Sequence, residues 1–201
     1  MAVVNGVRLH YVIGGKEPCL VLLHGLPATW YEWRRIFSSL AERYTVVAPD
    51  LRGLGDSAKP GGGYDTHTAA EAIHQLVGSL GFEWVFVAGH DWGAAVGGGA
   101  YAARHRQEVR KLAILNRMNI WAIYRSIFDD VDRNRESAKI KLPMPVLALG
   151  GERTMAERVG GKANSRCRGR PARCRGSARR TLVVHDAPDF VADQLVSFFV
   201  D

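Results

Sequence analysis

The segment Gly89-His90-Asp91-Trp92-Gly93 is the part of this sequence whose residue types best fit a chemical role. An apolar run over residues 84–88 precedes it and predicts a buried strand, and the mostly small residues 94–100 after it predict a helix. Glycines beside a sharp turn allow its central residue to adopt a strained backbone and to project its side chain. A carboxylate held in this way can attack an electrophilic carbon and form an ester. The competing interpretation is that Asp91 is a turn residue or the N-cap of the next helix.

Two other strand-like segments end in distinctive turns. Residues 21–23 lead into His24-Gly25-Leu26-Pro27, and residues 44–48 lead into a loop punctuated by glycines. Taken with the segment around Asp91, these features resemble the α/β-hydrolase fold and, within it, the epoxide hydrolases and haloalkane dehalogenases.

The resemblance implies a role for several of these positions. Asp91 matches the nucleophile that forms the ester. The backbone N–H groups of Leu26 and Trp92 match the oxyanion hole, which stabilises charge on the ester oxygen as water attacks. The Trp92 indole N–H also matches a donor to a leaving halide, and its alternative role is that of a packing aromatic beside the pocket. Three residues are expected at the pocket itself: His24, Pro27 and Trp30.

Hydrolysis of an aspartyl ester also needs a base, and the resemblance implies a histidine oriented by an acid. The usual place of this histidine, seven residues before Pro188, holds Thr181. His185 is the only histidine in the C-terminal third and is therefore the candidate base. Thr154 stands where an aspartate is common, which leaves Glu152 as the candidate acid.

Residues 116–144 stand where the resembling family carries a much longer helical cap over the pocket, so the cap domain is predicted to be largely missing. Tyr124 falls where epoxide hydrolases carry one of two tyrosines that donate a proton to the epoxide oxygen. The second tyrosine has no counterpart, and the abrupt change of sequence at residues 116–119 indicates an internal deletion. The alternative for Tyr124 is a buried aromatic residue of a helix.

Strand–helix alternation along the chain would position these residues. Apolar runs predict an edge hairpin within 3–13 and strands at 20–23, 45–48, 84–88, 109–115 and 145–149. Apolar stripes with helical spacing predict helices at 33–43, 68–80, 94–104 and 189–199. This order predicts an α/β fold with a doubly wound, mostly parallel sheet.

The chain divides into three parts on this interpretation. Residues 1–115 form the N-terminal part of the core, residues 116–144 are the cap remnant, and residues 145–201 form the C-terminal part of the core. The resemblance is fullest over residues 3–115 and less complete over residues 121–152.

One segment, residues 161–180, accounts for the basic character of the chain. It carries seven arginines, one lysine and no acid, whereas the whole chain of 201 residues has a net charge of +7. The segment has few large apolar residues and no strand or helix period, so it is expected to be irregular. It fits a disordered tract that binds nucleic-acid phosphates, a solvated loop, or a sequence read in a shifted frame. We favour the third explanation and expect no nucleic-acid partner.

Composition excludes several other classes of protein. Three cysteines do not make a disulfide framework, and no stretch is long and apolar enough to span a membrane. The N-terminal residues lack a signal-peptide pattern, so a soluble cytoplasmic protein is expected. No histidine has metal-ligand spacing with a neighbour, and the expected chemistry needs neither metal nor cofactor. The sequence leaves the oligomeric state open.

These observations lead to three functional hypotheses. The first is an epoxide hydrolase in which Asp91 opens a small apolar epoxide and water hydrolyses the ester. The second is a haloalkane dehalogenase-like hydrolase, which shares Asp91 and Trp92 but releases halide. The third is a catalytically impaired, truncated paralogue without turnover, because the histidine base is missing from its usual place.

Overall fold

A computed structural model of the chain describes residues 1–115, 141–150, 173–176 and 183–200. Nine strands occur in these ranges: β1 Ala2–Val4, β2 Val7–Leu9, β3 Tyr11–Gly14, β4 Cys19–Leu23, β5 Thr45–Pro49, β6 Val85–His90, β7 Val109–Leu115, β8 Val146–Gly150 and β9 Arg173–Gly176. A 3-10 turn, Trp30–Trp33, leads into helix α1, Arg34–Ala41. The remaining helices are α2 Thr66–Ser79, α3 Trp92–Ala94, a π-helix Ala95–Tyr101, α4 Ala102–Arg104, α5 Val183–Asp186 and α6 Pro188–Phe199.

Seven strands form the central sheet in the spatial order β3-β5-β4-β6-β7-β8-β9, and β1 pairs with β2 in a separate hairpin. Only β3 is antiparallel to its neighbour within the seven-stranded sheet. All residues of β4 and β6 are buried, as expected for parallel strands that are covered on both faces. The predicted α/β fold with a mostly parallel sheet is thus confirmed.

Helices cover both faces of the sheet. In β4, Val21 and Leu23 pack into a core that includes α2 and the π-helix, whereas Leu20 and Leu22 pack into a core that includes α1 and α6. The side chains of a strand point alternately to its two faces, so one apolar strand contributes to both cores. The predicted doubly wound arrangement is therefore confirmed for the described residues.

The helix after the segment around Asp91 differs from the prediction. It begins at Trp92 rather than Ala94, and its central part is a π-helix that contains three consecutive glycines. A Cβ at Gly97 would lie 3.0 Å from the Val87 side chain, and one at Gly98 would lie 3.1 Å from Ile114. Glycine thus allows this helix to lie close to β6 and β7.

The prediction of an irregular segment over residues 161–180 is wrong for four of its residues. Arg173–Gly176 forms β9 and pairs in parallel with β8. Strand pairing uses backbone N–H and C=O groups, so a segment without an apolar pattern can still extend an existing sheet at its edge. The other residues of 161–180, like residues 116–140 of the predicted cap remnant, lie outside the described ranges. Among the described helices, none combines the length and apolar character needed to cross a bilayer.

Candidate active site

Asp91 lies at a sharp turn between β6 and α3. Its backbone has φ 48 and ψ −111, a conformation that residues other than glycine rarely adopt. The adjacent glycines are required by close packing, because a Cβ at Gly93 would overlap the Leu23 carbonyl and one at Gly89 would overlap the Gly93 carbonyl. The predicted strand, strained turn and helix are therefore present. The Asp91 side chain makes no cap hydrogen bond to α3, which argues against the alternative N-cap role.

The turn after β4 lies directly against Asp91. The Leu26 backbone N–H donates a hydrogen bond to Asp91 Oδ2 at 3.1 Å. β4 and β6 are parallel neighbours, with Leu23 opposite Gly89, so the turns that follow them meet at the same edge of the sheet. The Leu26–Pro27 peptide bond is cis. The Leu26 N–H thus contacts the Asp91 carboxylate, and its role in an oxyanion hole stays a prediction.

His24 supports this turn from inside the protein. Its Nε2 accepts a hydrogen bond from the Leu51 N–H at 2.9 Å, so in the neutral ring Nδ1 carries the hydrogen and donates it to the Gly25 carbonyl at 2.8 Å. Burial lowers the pKa of His24, which favours this neutral form. The side chain has no exposed surface, so the prediction that His24 lines the pocket is wrong. Its ring instead connects two loops.

A buried carboxylate, Glu32, lies at the centre of the site. Its Oε2 accepts a hydrogen bond from the Gly25 N–H at 2.9 Å, and its Oε1 lies 2.6 Å from His90 Nδ1. Burial alone would raise the pKa of Glu32, but the contacts with His90 and Gly25 outweigh it and hold the pKa below its ordinary value. Glu32 thus joins the residue before Asp91 to the turn that contacts Asp91.

His185, the candidate base, also contacts Glu32. Its Nε2 lies 3.8 Å from Glu32 Oε1, and its backbone carbonyl accepts a hydrogen bond from Arg35 Nη1 at 3.1 Å. The carboxylate next to His185 in the described structure is therefore Glu32, whereas the predicted acid Glu152 lies outside the described residues. Tyr124 lies outside them as well.

A second buried acid, Asp50, holds the neighbouring loop. Its Oδ1 accepts a hydrogen bond from the Trp30 N–H at 2.7 Å. Its Oδ2 accepts one from the Asp56 N–H at 3.0 Å and lies 2.8 Å from His10 Nδ1. These contacts fix the path of the chain on one side of the site.

A cavity of about 200 Å³ opens beside Leu26 and Trp92. The residues that line it are mostly apolar: Leu26, Leu51, Arg52, Gly53, Leu54, Tyr64, Ala69 and Trp92. Pro27 is exposed and Trp30 is half-buried, and neither belongs to this lining. Pro27 and Trp30 were predicted to line the pocket, but they do not line this cavity. Leu51, Leu54 and Tyr64 do line it and were not predicted.

Sequence reasoning missed Glu32 and Asp50 as parts of the site. Glu32 had one available signal, because it stands in the run Trp30-Tyr31-Glu32-Trp33, where an acid between aromatic residues indicates burial. Asp50 directly follows an apolar strand, a position from which a side chain can bind the backbone of the next loop.

We expect the protein to lose stability on acidification in two stages. The folded pKa of His24 lies below its ordinary 6.5, so its contribution is complete above pH 6.5 and is lost as the pH falls below that value. The folded pKa of Glu32 lies below 4.5, so its contribution is lost as the pH falls below 4.5. Thermal unfolding followed by circular dichroism from about pH 8 to about pH 4 measures the first stage and the start of the second. A thermal unfolding temperature that rises as the pH falls through this range would contradict the expectation.

Comparison with known proteins agrees with the fold. The family model for the alpha/beta hydrolase fold matches residues 18–139. A soluble epoxide hydrolase of Corynebacterium sp. (strain C12) is 51% identical over 115 residues, which are 57% of this chain and 40% of that protein. A fluoroacetate dehalogenase of Burkholderia sp is 38% identical over 135 residues, 65% of this chain and 43% of that protein. The chain thus spans less than half the length of these relatives.

Solved structures give the same result for the fold. The structure of the epoxide hydrolase CorEH without ligand superposes with a TM-score of 0.83 at 28% identity and covers 98% of this chain and 96% of that chain. Cfl2 from Burkholderia cenocepacia superposes with a TM-score of 0.86 at 26% identity and covers 98% and 94%, respectively. With the strained turn at Asp91 and the parallel sheet that carries it, these matches show that the chain belongs to the alpha/beta hydrolase fold family and is similar to epoxide hydrolases within it.

Proposed function

We propose that Asp91 is the nucleophile of an epoxide-hydrolase-type reaction. The observation that carries the proposal is its position at the strained turn, where Asp91 Oδ2 accepts the hydrogen bond from the Leu26 N–H. This contact fixes one carboxylate oxygen, so we assign the attack to Oδ1. The similarity to the epoxide hydrolase from Corynebacterium, at 51% identity over the matching 115 residues, supports this assignment.

In the first step, Asp91 Oδ1 forms a bond to an epoxide carbon while the bond from that carbon to the ring oxygen breaks. The ring oxygen takes up a proton, and Tyr124 is the residue that we propose as its donor. Asp91 Oδ2 becomes the carbonyl oxygen of the resulting ester and keeps its hydrogen bond with Leu26. Attack of this kind depends on a positioned carboxylate and needs neither metal nor cofactor.

In the second step, water adds to the ester carbonyl carbon and negative charge develops on Oδ2. The Leu26 N–H is already placed at this oxygen, and we propose the Trp92 N–H as the second donor. The water passes one proton to the Tyr124 oxygen, which gave up its proton in the first step, and the other to the leaving oxygen. Collapse breaks the bond between the Asp91 carboxyl carbon and Oδ1, so the diol leaves with Oδ1 in its second hydroxyl, and the water oxygen joins Oδ2 in the restored carboxylate. The two N–H groups would thus act mainly in hydrolysis of the ester.

The cavity indicates the class of substrate. Its volume of about 200 Å³ and its leucine and tryptophan lining suit a small apolar molecule. Arg52 also belongs to the lining, and its Nε donates a hydrogen bond to the Gly62 carbonyl at 3.0 Å. We therefore propose a small apolar epoxide as the substrate.

Hydrolysis of the ester also needs a base that activates water. His185 is the candidate, and its Nε2 lies 3.8 Å from Glu32 Oε1. Loss of a general base typically slows a reaction by about 10²–10⁴-fold. Attack on the epoxide does not need that base, so we propose that the ester forms and is hydrolysed slowly.

Incubation with styrene oxide, followed by mass spectrometry of the intact protein and its peptides, tests this proposal. We expect a stable adduct on the peptide that contains Asp91. Peptide mapping is needed because cysteines also react with epoxides. Cys19 is a poor competitor, since burial raises the pKa of its thiol to about 12.

The other outcomes separate the alternatives. Repeated turnover to diol without an adduct would contradict slow hydrolysis and would indicate that His185 works as a base. If neither an adduct nor diol forms, the proposed function is contradicted and a catalytically impaired paralogue is favoured.

A dehalogenase is the second candidate function, because the fluoroacetate dehalogenase of Burkholderia is 38% identical over 135 residues. The same Asp91 attack on a carbon–halogen bond would release a halide ion, which the Trp92 indole N–H is proposed to bind. Parallel assays of halide release from fluoroacetate and of diol release from styrene oxide would distinguish the two functions.

A further inference from the structure

Two histidines and two glutamates form a compact group on the side of the protein away from Asp91. We call His74, His105, Glu108 and Glu71 the histidine–glutamate cluster. Glu71 and His74 lie on α2, and His105 and Glu108 lie in the turn between α4 and β7. All four side chains are partly buried, with exposed fractions between 16% and 35%.

Contacts in this cluster cross from one element to the other. His74 Nδ1 lies 2.6 Å from Glu108 Oε1, and the two histidine rings stack with their centroids 4.0 Å apart. His105 Nε2 is buried, lies 3.6 Å from Glu71 Oε2 and has no hydrogen-bond partner among the described residues. A distance of 3.6 Å is too long for a hydrogen bond, so among the described residues this buried ring nitrogen has an ion-pair contact with Glu71 but no hydrogen bond.

The donor set fits a transition-metal ion. One ring nitrogen from each of His74 and His105 and one carboxylate oxygen of Glu108 lie within 4.8 Å of one another. Two imidazoles and a carboxylate, with one position left for water, are a common ligand set for zinc. Donor atoms around tetrahedral zinc lie about 3.3 Å apart. Side-chain rotations would therefore have to separate His74 Nδ1 and Glu108 Oε1, which lie 2.6 Å apart, by about 0.7 Å and bring the other donor pairs closer by about 1.5 Å or less.

The surroundings of Glu108 orient it toward the histidines. The Tyr101 hydroxyl donates a hydrogen bond to Glu108 Oε2 at 2.8 Å, while Oε1 faces His74. The Glu108 N–H donates to the His105 carbonyl at 3.0 Å, which closes the turn that carries both residues. An outer hydrogen bond of this kind is typical of metal-binding carboxylates.

We propose that His74, His105 and Glu108 form a binding site for a divalent transition-metal ion of the zinc type. Glu71 adds negative charge beside His105, although Arg104 lies near enough to offset part of it. The prediction that no histidine has a metal-binding partner considered only neighbours along the sequence, and it therefore missed residues that α2 and the turn before β7 bring together.

The position of the site defines its role. The cluster lies at the start of β7, next to Val109, whereas Asp91 follows the end of the parallel strand β6. The two sites are thus at opposite ends of the sheet. The metal would link α2 to the turn before β7 and stabilise the fold. It would take no part in the reaction at Asp91.

Zinc titration of the purified full chain tests the proposal. We expect the wild-type protein to bind about one equivalent of Zn²⁺ at this site and its unfolding temperature to rise on addition of ZnCl₂. His105→Gln should remove this equivalent and the temperature rise. His67→Gln is the matched control, because His67 lies on α2 outside the cluster and its replacement should leave both unchanged.

Two further measurements keep the test decisive if His105→Gln folds poorly. Tyr101→Phe removes only the hydroxyl that orients Glu108 and should weaken zinc binding about 10-fold or more. In the wild-type protein, Zn²⁺ should protect His74 and His105 from modification by diethyl pyrocarbonate, read by peptide mass spectrometry. Equal zinc affinity in folded His105→Gln and His67→Gln, or no protection of either histidine, would overturn the proposal.

Discussion

Replacement of Asp91 by asparagine should abolish formation of the styrene oxide adduct. Asparagine has nearly the same size as aspartate, and its amide oxygen can still accept the Leu26 hydrogen bond. Its amide lacks the negative charge that makes a carboxylate nucleophilic, so we expect alkylation to slow by at least about 10⁴-fold. The rate is measured as the growth of the adduct peak in intact-protein mass spectra, and circular dichroism establishes that the variant is folded.

Asp56→Asn is the matched control for this experiment. Asp56 is exposed, and its backbone N–H, which the substitution keeps, donates a hydrogen bond to Asp50 Oδ2. Its adduct should form at the wild-type rate. Persistence of the adduct in Asp91→Asn, at the rate seen in Asp56→Asn, would show that another residue is alkylated and would remove Asp91 from the proposed role.

Replacement of Glu32 by alanine should lower the free energy of unfolding by about 3–5 kcal/mol, the range observed when one partner of a buried pair is removed. Both carboxylate oxygens of Glu32 are engaged, one with the Gly25 N–H and the other with His90 Nδ1. Alanine leaves both groups buried without these contacts and leaves a cavity of the size of the lost atoms. Urea unfolding followed by tryptophan fluorescence measures the change.

Two other substitutions show which property of Glu32 matters. Glu32→Gln keeps the volume and an acceptor for Gly25 but removes the charge, so its loss should be smaller, about 1–3 kcal/mol. Glu42→Ala removes an exposed glutamate and should change stability by about 0.5 kcal/mol or less. If Glu32→Ala proves as stable as Glu42→Ala, Glu32 does not hold the site together.

Most of the sheet could be predicted from the sequence because its strands carry a strong local signal. β4 and β6 are buried on both faces, and each appears in the sequence as an uninterrupted apolar run. The turn at Asp91 was equally accessible, since its glycines flank it directly in the sequence, although the atom that excludes a side chain at Gly93 is the distant Leu23 carbonyl. Both signals consist of residues that are neighbours in the chain.

Features that depend on distant residues were not predictable in the same way. Glu32 lies beside His90 only because the turns after β4 and β6 meet, and His74 contacts Glu108 only because α2 packs near the start of β7. A single sequence contains no record of such pairings. The same reason applies to β9, whose pairing with β8 uses backbone atoms that every residue possesses.

The candidate base illustrates a further limit. Its usual position in the sequence holds Thr181, which left His185 as the remaining histidine in that region. Whether such a residue can act depends on where α5 places its ring, and the fold directs it to Glu32. The structure identifies Glu32 as a carboxylate beside His185, and the role of His185 as the base stays a prediction.

At Asp91, the strained backbone brings selection for stability into conflict with selection for reactivity. A residue with a side chain at φ 48 and ψ −111 costs about 1–3 kcal/mol relative to an unstrained conformation. Glycine would remove most of that cost and with it the carboxylate. Selection for stability alone would therefore favour glycine at this turn, whereas selection for reactivity favours aspartate. If Asp91 is the nucleophile that we propose, stability-directed engineering at this turn would remove the reactive group while it removes the strain.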